Sequence, residues 1–306
     1  MKRAKPFVKW AGGKTQLLTE IEKLLPNRFL TSKDLTYVEP FVGGGAVLFW
    51  MLQKYENIKQ AIINDINADL INVYKVIKSE PKQLIALLSE MKKKYIACSD
   101  EDRKKYFLYQ RERFNLDKSD VIKNSACFIF LNKTCFNGLY RVNKQGLFNV
   151  PHGRYKNPNI CDEENLYACH DILQKVEILQ GDFEQTLLYA DAYSFFYLDP
   201  PYKPINDTSS FTSYTKEDFD DDDQIRLKLF CDDISKKGSF FILSNSDVNT
   251  EQYKNAFFDD LYSLYDIYRV KATRMINSKA SYRGYLTELM ISNSVERGLN
   301  YKYYGK

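Results

Sequence analysis

Ser194-Phe195-Phe196-Tyr197-Leu198 is an apolar run with no polar alternation, and it stops at Asp199-Pro200-Pro201. A strand of that composition has to be covered on both faces, as in a parallel sheet flanked by helices and not at a solvated edge. Shorter β-branched or aromatic runs recur at 36–39, 60–64, 176–179 and 239–244, each bounded by turn or polar residues. Stretches of helical period lie between many of them, at 14–25, 45–55 and 67–78. The alternation predicts an α/β fold, a parallel sheet with crossover helices. The middle of the chain breaks the rhythm. Residues 80–131 are patterned as helices with Lys and Glu outside and Leu, Ile, Tyr and Phe inside, and 132–161 are rich in Asn, Gly, Pro and basic residues. We expect residues 1–66 and 162–306 to form one α/β domain, interrupted at 67–161 by a mostly helical insert bearing a β-hairpin.

Composition narrows the function classes. At 306 residues, 44% hydrophobic and 27% charged, the chain has a core to build and is neither disordered nor collagen-like. No apolar stretch approaches the 18 or so residues of a membrane span, and Met1-Lys2-Arg3-Ala4-Lys5-Pro6 leads into no signal-type run, so a cytoplasmic protein is expected. Six cysteines form no CxxC pair and only His152 and His170 are available beside them, which points to reduced, packed thiols and no metal site. The same counts weaken any Cys/His or Ser/His/Asp hydrolase. The formal net charge of +4 conceals an asymmetry: residues 1–160 carry +13, 161–260 carry −14 and 261–306 carry +5. A polyanion would favour the first half and the tail, and solvated faces that mix in three dimensions are the even alternative. The acidic run Asp220-Asp221-Asp222-Asp223 is read as a solvated helix start.

Three local patterns carry chemistry. Glu39-Pro40-Phe41-Val42-Gly43-Gly44-Gly45 follows one strand and opens a helix, where glycines let backbone approach a ligand. Leu48 occupies the third glycine position of a dinucleotide fingerprint, which disfavours NAD, but an acidic residue after the next strand can still hold ribose hydroxyls, and Asp65 lies 22 residues after Gly43. A turn that serves packing alone remains open. Phe7-Val8-Lys9-Trp10-Ala11-Gly12-Gly13-Lys14-Thr15 ends like a P-loop, yet Val8 replaces the required first glycine. Lys14 with free N–H groups at a helix start suits a carboxylate instead. Asp199-Pro200-Pro201-Tyr202 closes the most apolar strand, and two prolines there fix the backbone so that the Asp199 carboxylate and the Pro200 carbonyl can face one amino group, with Tyr202 as a flat surface beside them. The plainer alternative is a strand-end Asp capping a turn.

Together, Trp10-Ala11-Gly12-Gly13-Lys14, Glu39 to Gly45, Asn64-Asp65-Ile66-Asn67 and Asp199-Pro200-Pro201-Tyr202 resemble the Dam-type DNA adenine-N6 methyltransferases, including the Dpn-type modification enzymes. The segments 136–143, 148–155, 181–183 and 211–214 extend the similarity over nearly the whole chain and keep the family's order. The resemblance implies a Rossmann-like S-adenosylmethionine-dependent methyltransferase sheet with an inserted target-recognition domain at 67–161. It implies that Trp10, Lys14, Phe41, Gly43, Gly45, Asp65, Asp182, Phe183 and Asp199 hold S-adenosylmethionine, and that Lys9, Leu139, Arg141 and Pro151 match positions that read GATC.

The chemistry follows from the substrate. An exocyclic adenine amine is a poor nucleophile because its lone pair is delocalised, and acceptors at Asp199 and Pro200 would localise it, with Tyr202 stacked on the base. No Pro-Cys dipeptide is present for attack on cytosine C5. The adenine has to leave duplex DNA at a cost of a few kcal/mol. Phe136, beside Asn137, is a candidate wedge for the vacated stack or, equally, a core aromatic. Arg141 can contact guanine in bidentate fashion, and Arg154, Lys156, Lys271, Arg274, Lys279 and Arg283 are candidate phosphate contacts. The loop 203–216, with Phe211 and Tyr214, is either a cover for the flipped base or an open surface loop. Double-stranded DNA is the expected partner, and a restriction endonuclease acting on the same site is the protein partner this reading raises. An inactive DNA-binding regulator and a cytosine-N4 methyltransferase are the competing functions.

Overall fold

Apolar runs that cannot tolerate water become the centre of the sheet. The computed structural model describes residues 3–10, 12–203, 219–249, 254–273 and 285–293. Strands β1 (Leu35–Glu39), β2 (Ile58–Ile63), β3 (Val176–Ile178), β4 (Ser194–Leu198) and β5 (Phe240–Ser246) run parallel, and β6 (Asp266–Thr273) and β7 (Tyr285–Ser292) complete a seven-stranded sheet in the order β3-β2-β1-β4-β5-β7-β6. β7 is antiparallel to both β5 and β6. Every side chain of β4, the central strand, is buried. The sequence patterns find the five parallel strands but not β6 and β7, where charged residues such as Asp266, Arg269 and Glu288 interrupt the apolar signal.

Ten helices lie among the described residues: α1 (Leu18–Leu24), α2 (Asn27–Thr31), α3 (Ala46–Lys54), α4 (Ala68–Ser79), α5 (Pro81–Ala97), α6 (Asp100–Leu116), α7 (Val121–Thr134), α8 (Glu163–Leu173), α9 (Asp221–Lys236) and α10 (Phe257–Leu261). Their starts are written locally. Asn67, Ser99, Asp120 and Asp162 each accept a backbone N–H at a helix N-terminus. The acidic run begins α9: Asp220 caps it and forms a reciprocal capping box with Asp223. The helices from α4 to α8 fill the crossover between β2 and β3. Their apolar faces merge with one face of the sheet, so that Tyr74, Leu88, Phe107 and Phe130 share a continuous core with Tyr37, Ile63 and Tyr197. On the other face, Val38, Phe196, Leu198 and Phe241 pack against α9 and α10. After α7 the chain makes a 3-10 turn at Phe136–Gly138 and then a narrow hairpin whose only regular pairing among the described residues is the bridges Cys135–His152 and Val142–Phe148.

The cysteines and histidines sit in this scaffold. Four of the six thiols are buried, and His152 and His170 bond to Tyr95 and to the Ile77 carbonyl. No described helix is long and apolar enough to cross a membrane. The 204–216 part of the candidate cover, with Phe211 and Tyr214, and the candidate phosphate contacts Arg274, Lys279 and Arg283 lie outside the described residues.

Candidate active site and nucleic-acid interface

The chain leaves β1 towards β2 on one side and β4 towards β5 on the other, so a crevice opens at the carboxyl ends of β1 and β4. The 40–45 loop, Asn64-Asp65, Gly181-Asp182-Phe183 and Asp199 to Tyr202 all emerge there. A cleft of about 460 Å³ lies among them, lined by Phe41, Asn67, Asp182, Phe183, Pro201 and Phe219, with Tyr140 from the helical insert. Its volume is in the range of small-molecule sites.

Two glycines let the first loop pass close to its neighbours. Gly43 and Gly45 have φ of 48° and 73°, in the left-handed region. A Cβ on Gly45 would sit 2.5 Å from Tyr74 Oη, and one on Gly43 would sit 2.8 Å from the Trp10 ring. These contacts show the packing role of the loop glycines. Tyr74 Oη donates to the Gly43 carbonyl at 3.0 Å. Asp65 Oδ2 accepts from Gly43 N at 3.0 Å and Oδ1 from Asn67 N at 2.9 Å, so one carboxylate braces both the loop and the start of α4. Burial pushes its pKa up to about 6 against the pull of those two N–H groups. Each oxygen keeps a second lone pair for a ligand hydroxyl.

At the end of β4 the geometry is tighter. Lys14, 5% exposed, places Nζ 2.8 Å from Asp199 Oδ1, 2.8 Å from the Gly12 carbonyl and 4.5 Å from the centre of the Tyr202 ring. Lys14 thus meets a carboxylate of the protein itself, the first residue of the Asp199-Pro200-Pro201-Tyr202 run. Burial raises the Asp199 pKa to about 6, with Lys14 opposing and the Glu288 carboxylate adding to the rise. Tyr202 Oη donates to Glu288 Oε2 at 2.8 Å, which fixes the plane of its ring. Burial, then the charges on Asp199 and Glu288, hold that phenol well above its ordinary pKa, so it stays a donor. Glu39, at the end of β1, accepts from Tyr37 Oη at 2.7 Å, and burial keeps its carboxyl well above the usual carboxylate range.

Asn64 ties three strand ends together. Its Nδ2 donates to the carbonyls of Pro40 and Gly181 at 3.0 and 2.9 Å, and its Oδ1 accepts from Gln185. This places Asp182 and Phe183 across the cleft from the glycine loop. Asp182 caps the following 3-10 turn and pairs with Arg226 at 3.1 Å. Phe183 is 3% exposed, with Phe41 5.3 Å away and the Arg226 guanidinium 5.2 Å over its ring.

The candidate DNA contacts gather on the surface of the tip that follows α7, with Lys9 packed against Gly138. Lys9, Phe136, Asn137, Arg141, Pro151 and Arg154 are exposed and Leu139 is half-buried. Phe136 is 52% exposed, which removes its core alternative. Its N–H bonds to the Pro151 carbonyl at 2.8 Å, joining the two arms of the tip. Asn137 and Arg154 are the two non-glycine residues with positive φ among those described, at 55° and 57°. Arg141 Nε donates to Asn149 Oδ1 at 2.8 Å, which aims the guanidinium. Lys156 and Lys271 are exposed. Trp10 lies between this face and the crevice, stacked on Tyr140 at 5.4 Å and over Gly43.

Sequence reasoning assigned no role to Glu39, Asn64, Asn132, Arg226 or Glu288. Glu39 carried a signal of its own, an acid closing an apolar strand just as Asp199 does, whereas the other four act on residues far away in sequence.

Residues 10–276 match the family described as D12 class N6 adenine-specific DNA methyltransferase. The chain is 53% identical over 292 residues to type II methyltransferase M.MjaIII of Methanocaldococcus jannaschii, covering 94% of this chain and 99% of that protein. It is 38% identical over 294 residues to type II methyltransferase M1.LlaDCHI of Lactococcus lactis subsp. cremoris, covering 94% and 95%. With the DNA adenine methylase of Escherichia coli it shares 32% identity over 292 residues, covering 95% of each chain.

Proposed function

The chain belongs to the D12 class N6 adenine-specific DNA methyltransferases, and from that premise we propose that it moves the methyl group of S-adenosylmethionine to an adenine extruded from duplex DNA within GATC. The observation that carries the reading is the Asp199 carboxylate at the end of β4, already accepting an N–H donor, the Lys14 ammonium, at 2.8 Å. An adenine amine entering the same place meets the same acceptor, with the Pro200 carbonyl as its second.

The residues present fit the cofactor. The cleft is of nucleoside size, Gly43 and Gly45 let the loop beside it turn tightly against Trp10 and Tyr74, and Asp182 in its lining with Asp65 next to it would supply acceptors for hydroxyls and an amine. Phe41, Phe183 and Tyr140 give it aromatic walls, with Trp10 stacked against Tyr140. S-adenosylmethionine, when bound, supplies an electrophilic methyl on sulfur. The protein's part is to orient the nucleophile. Asp199 and Pro200 draw the two amine hydrogens out of the ring plane and free the nitrogen lone pair, and both bonds strengthen as positive charge grows on nitrogen. Tyr202, its ring plane set by Glu288, provides the face for the base. Lys14 has to yield or share Asp199 Oδ1 as the amine arrives, and its flexible four-carbon stem permits this. Ionised Asp199 is the stronger acceptor and carries the charge that offsets the positive charge growing on nitrogen, whereas its protonated form presents an O–H donor on one oxygen, so kcat/KM should fall below about pH 6.

Lys9, Leu139, Arg141 and Pro151 would read the site, Phe136 and Asn137 would fill the vacated stack, and Arg154, Lys156 and Lys271 would position the backbone. The test uses duplexes that differ by one base pair, GATC against GTTC, digested after reaction and resolved by mass spectrometry. We expect N6-methyladenine in the GATC duplex alone. N4-methylcytosine, or binding without transfer, would replace this reading by one of its competitors. If the protein partners a restriction endonuclease, the methylated duplex will resist cleavage by an enzyme that cuts unmodified GATC.

A further inference from the structure

We propose that Asn132 is a positioning residue that ties the reading of DNA at the 136–139 tip to the geometry of Lys14 and Asp199, an inference that rests on the DNA-reading role given to that tip above. Asn132 lies near the end of α7 and is 2% exposed. Its Oδ1 accepts from Lys9 N at 2.8 Å, and its Nδ2 donates to the carbonyls of Lys9 at 2.8 Å and Gly138 at 2.9 Å. The amide therefore pairs with both polar groups of the Lys9 backbone, as a neighbouring strand would, and holds the tip backbone with its remaining hydrogen. An aspartate would turn both donor contacts into repulsion between oxygens. An alanine would leave three backbone groups short of a partner, at about 1–3 kcal/mol each where water cannot reach.

The two segments that Asn132 joins are packed directly against each other. Gly138 has φ of 65°, and a Cβ there would lie 2.3 Å from Lys9 Cδ, so the tip backbone rests directly on the Lys9 side chain. Tyr155 closes the unit: its hydroxyl accepts from Asn137 N at 3.1 Å, and its ring centre lies 5.0 Å from Lys9 Nζ. On the far side of Lys9 the chain continues through Trp10, which covers Gly43, to Gly12, whose carbonyl takes the same Lys14 ammonium that meets Asp199. A shift of the tip on DNA is thus delivered to residue 9, a few residues from the lysine that occupies the catalytic carboxylate, instead of being absorbed in a loose loop. Contact alone does not establish coupling, so coupling is what the experiment has to measure.

The experiment compares wild type, Asn132→Ala and a control, Ser125→Ala, a buried hydroxyl on the same helix with no hydrogen-bond partner among the described residues. Single-turnover methyl transfer is measured on the GATC duplex and on duplexes with one base pair changed, alongside the calorimetric Kd for S-adenosylmethionine and the melting temperature. We expect Asn132→Ala to lose about tenfold in the ratio of cognate to substituted rates, within the span that coupling networks carry. The Kd should stay within about twofold, and Ser125→Ala should keep the wild-type ratio. Asn132→Ala rates that fall equally on every duplex, in step with the melting temperature, would overturn the inference and leave Asn132 a structural residue. Should Asn132→Ala not fold, Asn132→Ser, which keeps one hydroxyl at the same place, faces the same two outcomes. Failure of the underlying reading is seen separately, as wild-type rates that do not distinguish the duplexes, and it overturns the inference as well.

Discussion

The strand-end crevice and the 132–155 tip are built on opposite terms with water. In the crevice, Glu39 is buried and Asp65 and Asp199 are half-buried, and loss of hydration pushes each carboxyl pKa upward. At the tip, Phe136, Asn137, Arg141 and Pro151 are exposed, and their placement comes from positive φ angles, from braces such as Asn149 on Arg141, and from Asn132 below. The contrast divides the labour. Electrostatic preorganisation is strongest where the dielectric is low, which suits the end of the fully buried β4 to the proposed chemistry. Recognition of a polyanion needs side chains that only the partner will cover, which suits the proposed reading to a surface held from within.

Substitutions can break this division, and the largest effect falls in the crevice. Asp199→Ala should lower single-turnover methyl transfer by about 10³-fold, the scale of losing one preorganised charge contact, while the calorimetric affinity for S-adenosylmethionine changes by only a few fold. Transfer within tenfold of wild type would remove Asp199 from the chemistry. Gly45→Ala forces a side chain into left-handed backbone and against Tyr74 Oη, a strain of about 1–3 kcal/mol, and should weaken cofactor binding by about tenfold or more. Normal binding by that variant would show that the loop relaxes freely.

At the tip the expected losses are in selectivity. Arg141→Ala should reduce discrimination between GATC and singly substituted duplexes by about 1–3 kcal/mol, read as a ratio of kcat/KM values. A uniform loss on all duplexes would move Arg141 to the phosphate-contacting group. Glu288→Gln keeps an acceptor for Tyr202 but removes the negative charge that raises the Asp199 pKa. The acid limb of kcat/KM, expected at about pH 6, should therefore move to lower pH, and a limb that stays or rises would separate it from Asp199. Smallest is Lys156→Ala, which should weaken binding to all sequences alike and reduce the slope of affinity against salt by about 1.

How legible these regions were depends on the range over which their signals act. β4 is evident because its apolar run and two prolines are contiguous, and the start of α9 because its acids lie side by side. The Lys14–Asp199 pair leaves no local trace, since the two ends of it were read separately as a carboxylate ligand and an amine acceptor. Asn132 serves a backbone group 123 residues away and looks like any polar residue closing a helix. Glu288 is set opposite Tyr202 by the antiparallel return of β7 beside β5, a pairing that no periodicity near residue 288 announces. Strand composition and turn chemistry are written in neighbours, whereas the tuning of the site is written in contacts that exist only once the sheet has formed.

The most direct test is a crystal structure of the protein with a non-reactive S-adenosylmethionine analogue and a GATC duplex. The adenine N6 should lie about 3 Å from both the Asp199 carboxylate and the Pro200 carbonyl, facing the sulfur centre, with Lys14 no longer alone on Asp199 Oδ1. An adenine left in the duplex stack, or one bound with its amine beyond reach of both acceptors, would contradict the assignment of this strand end as the site of methyl transfer.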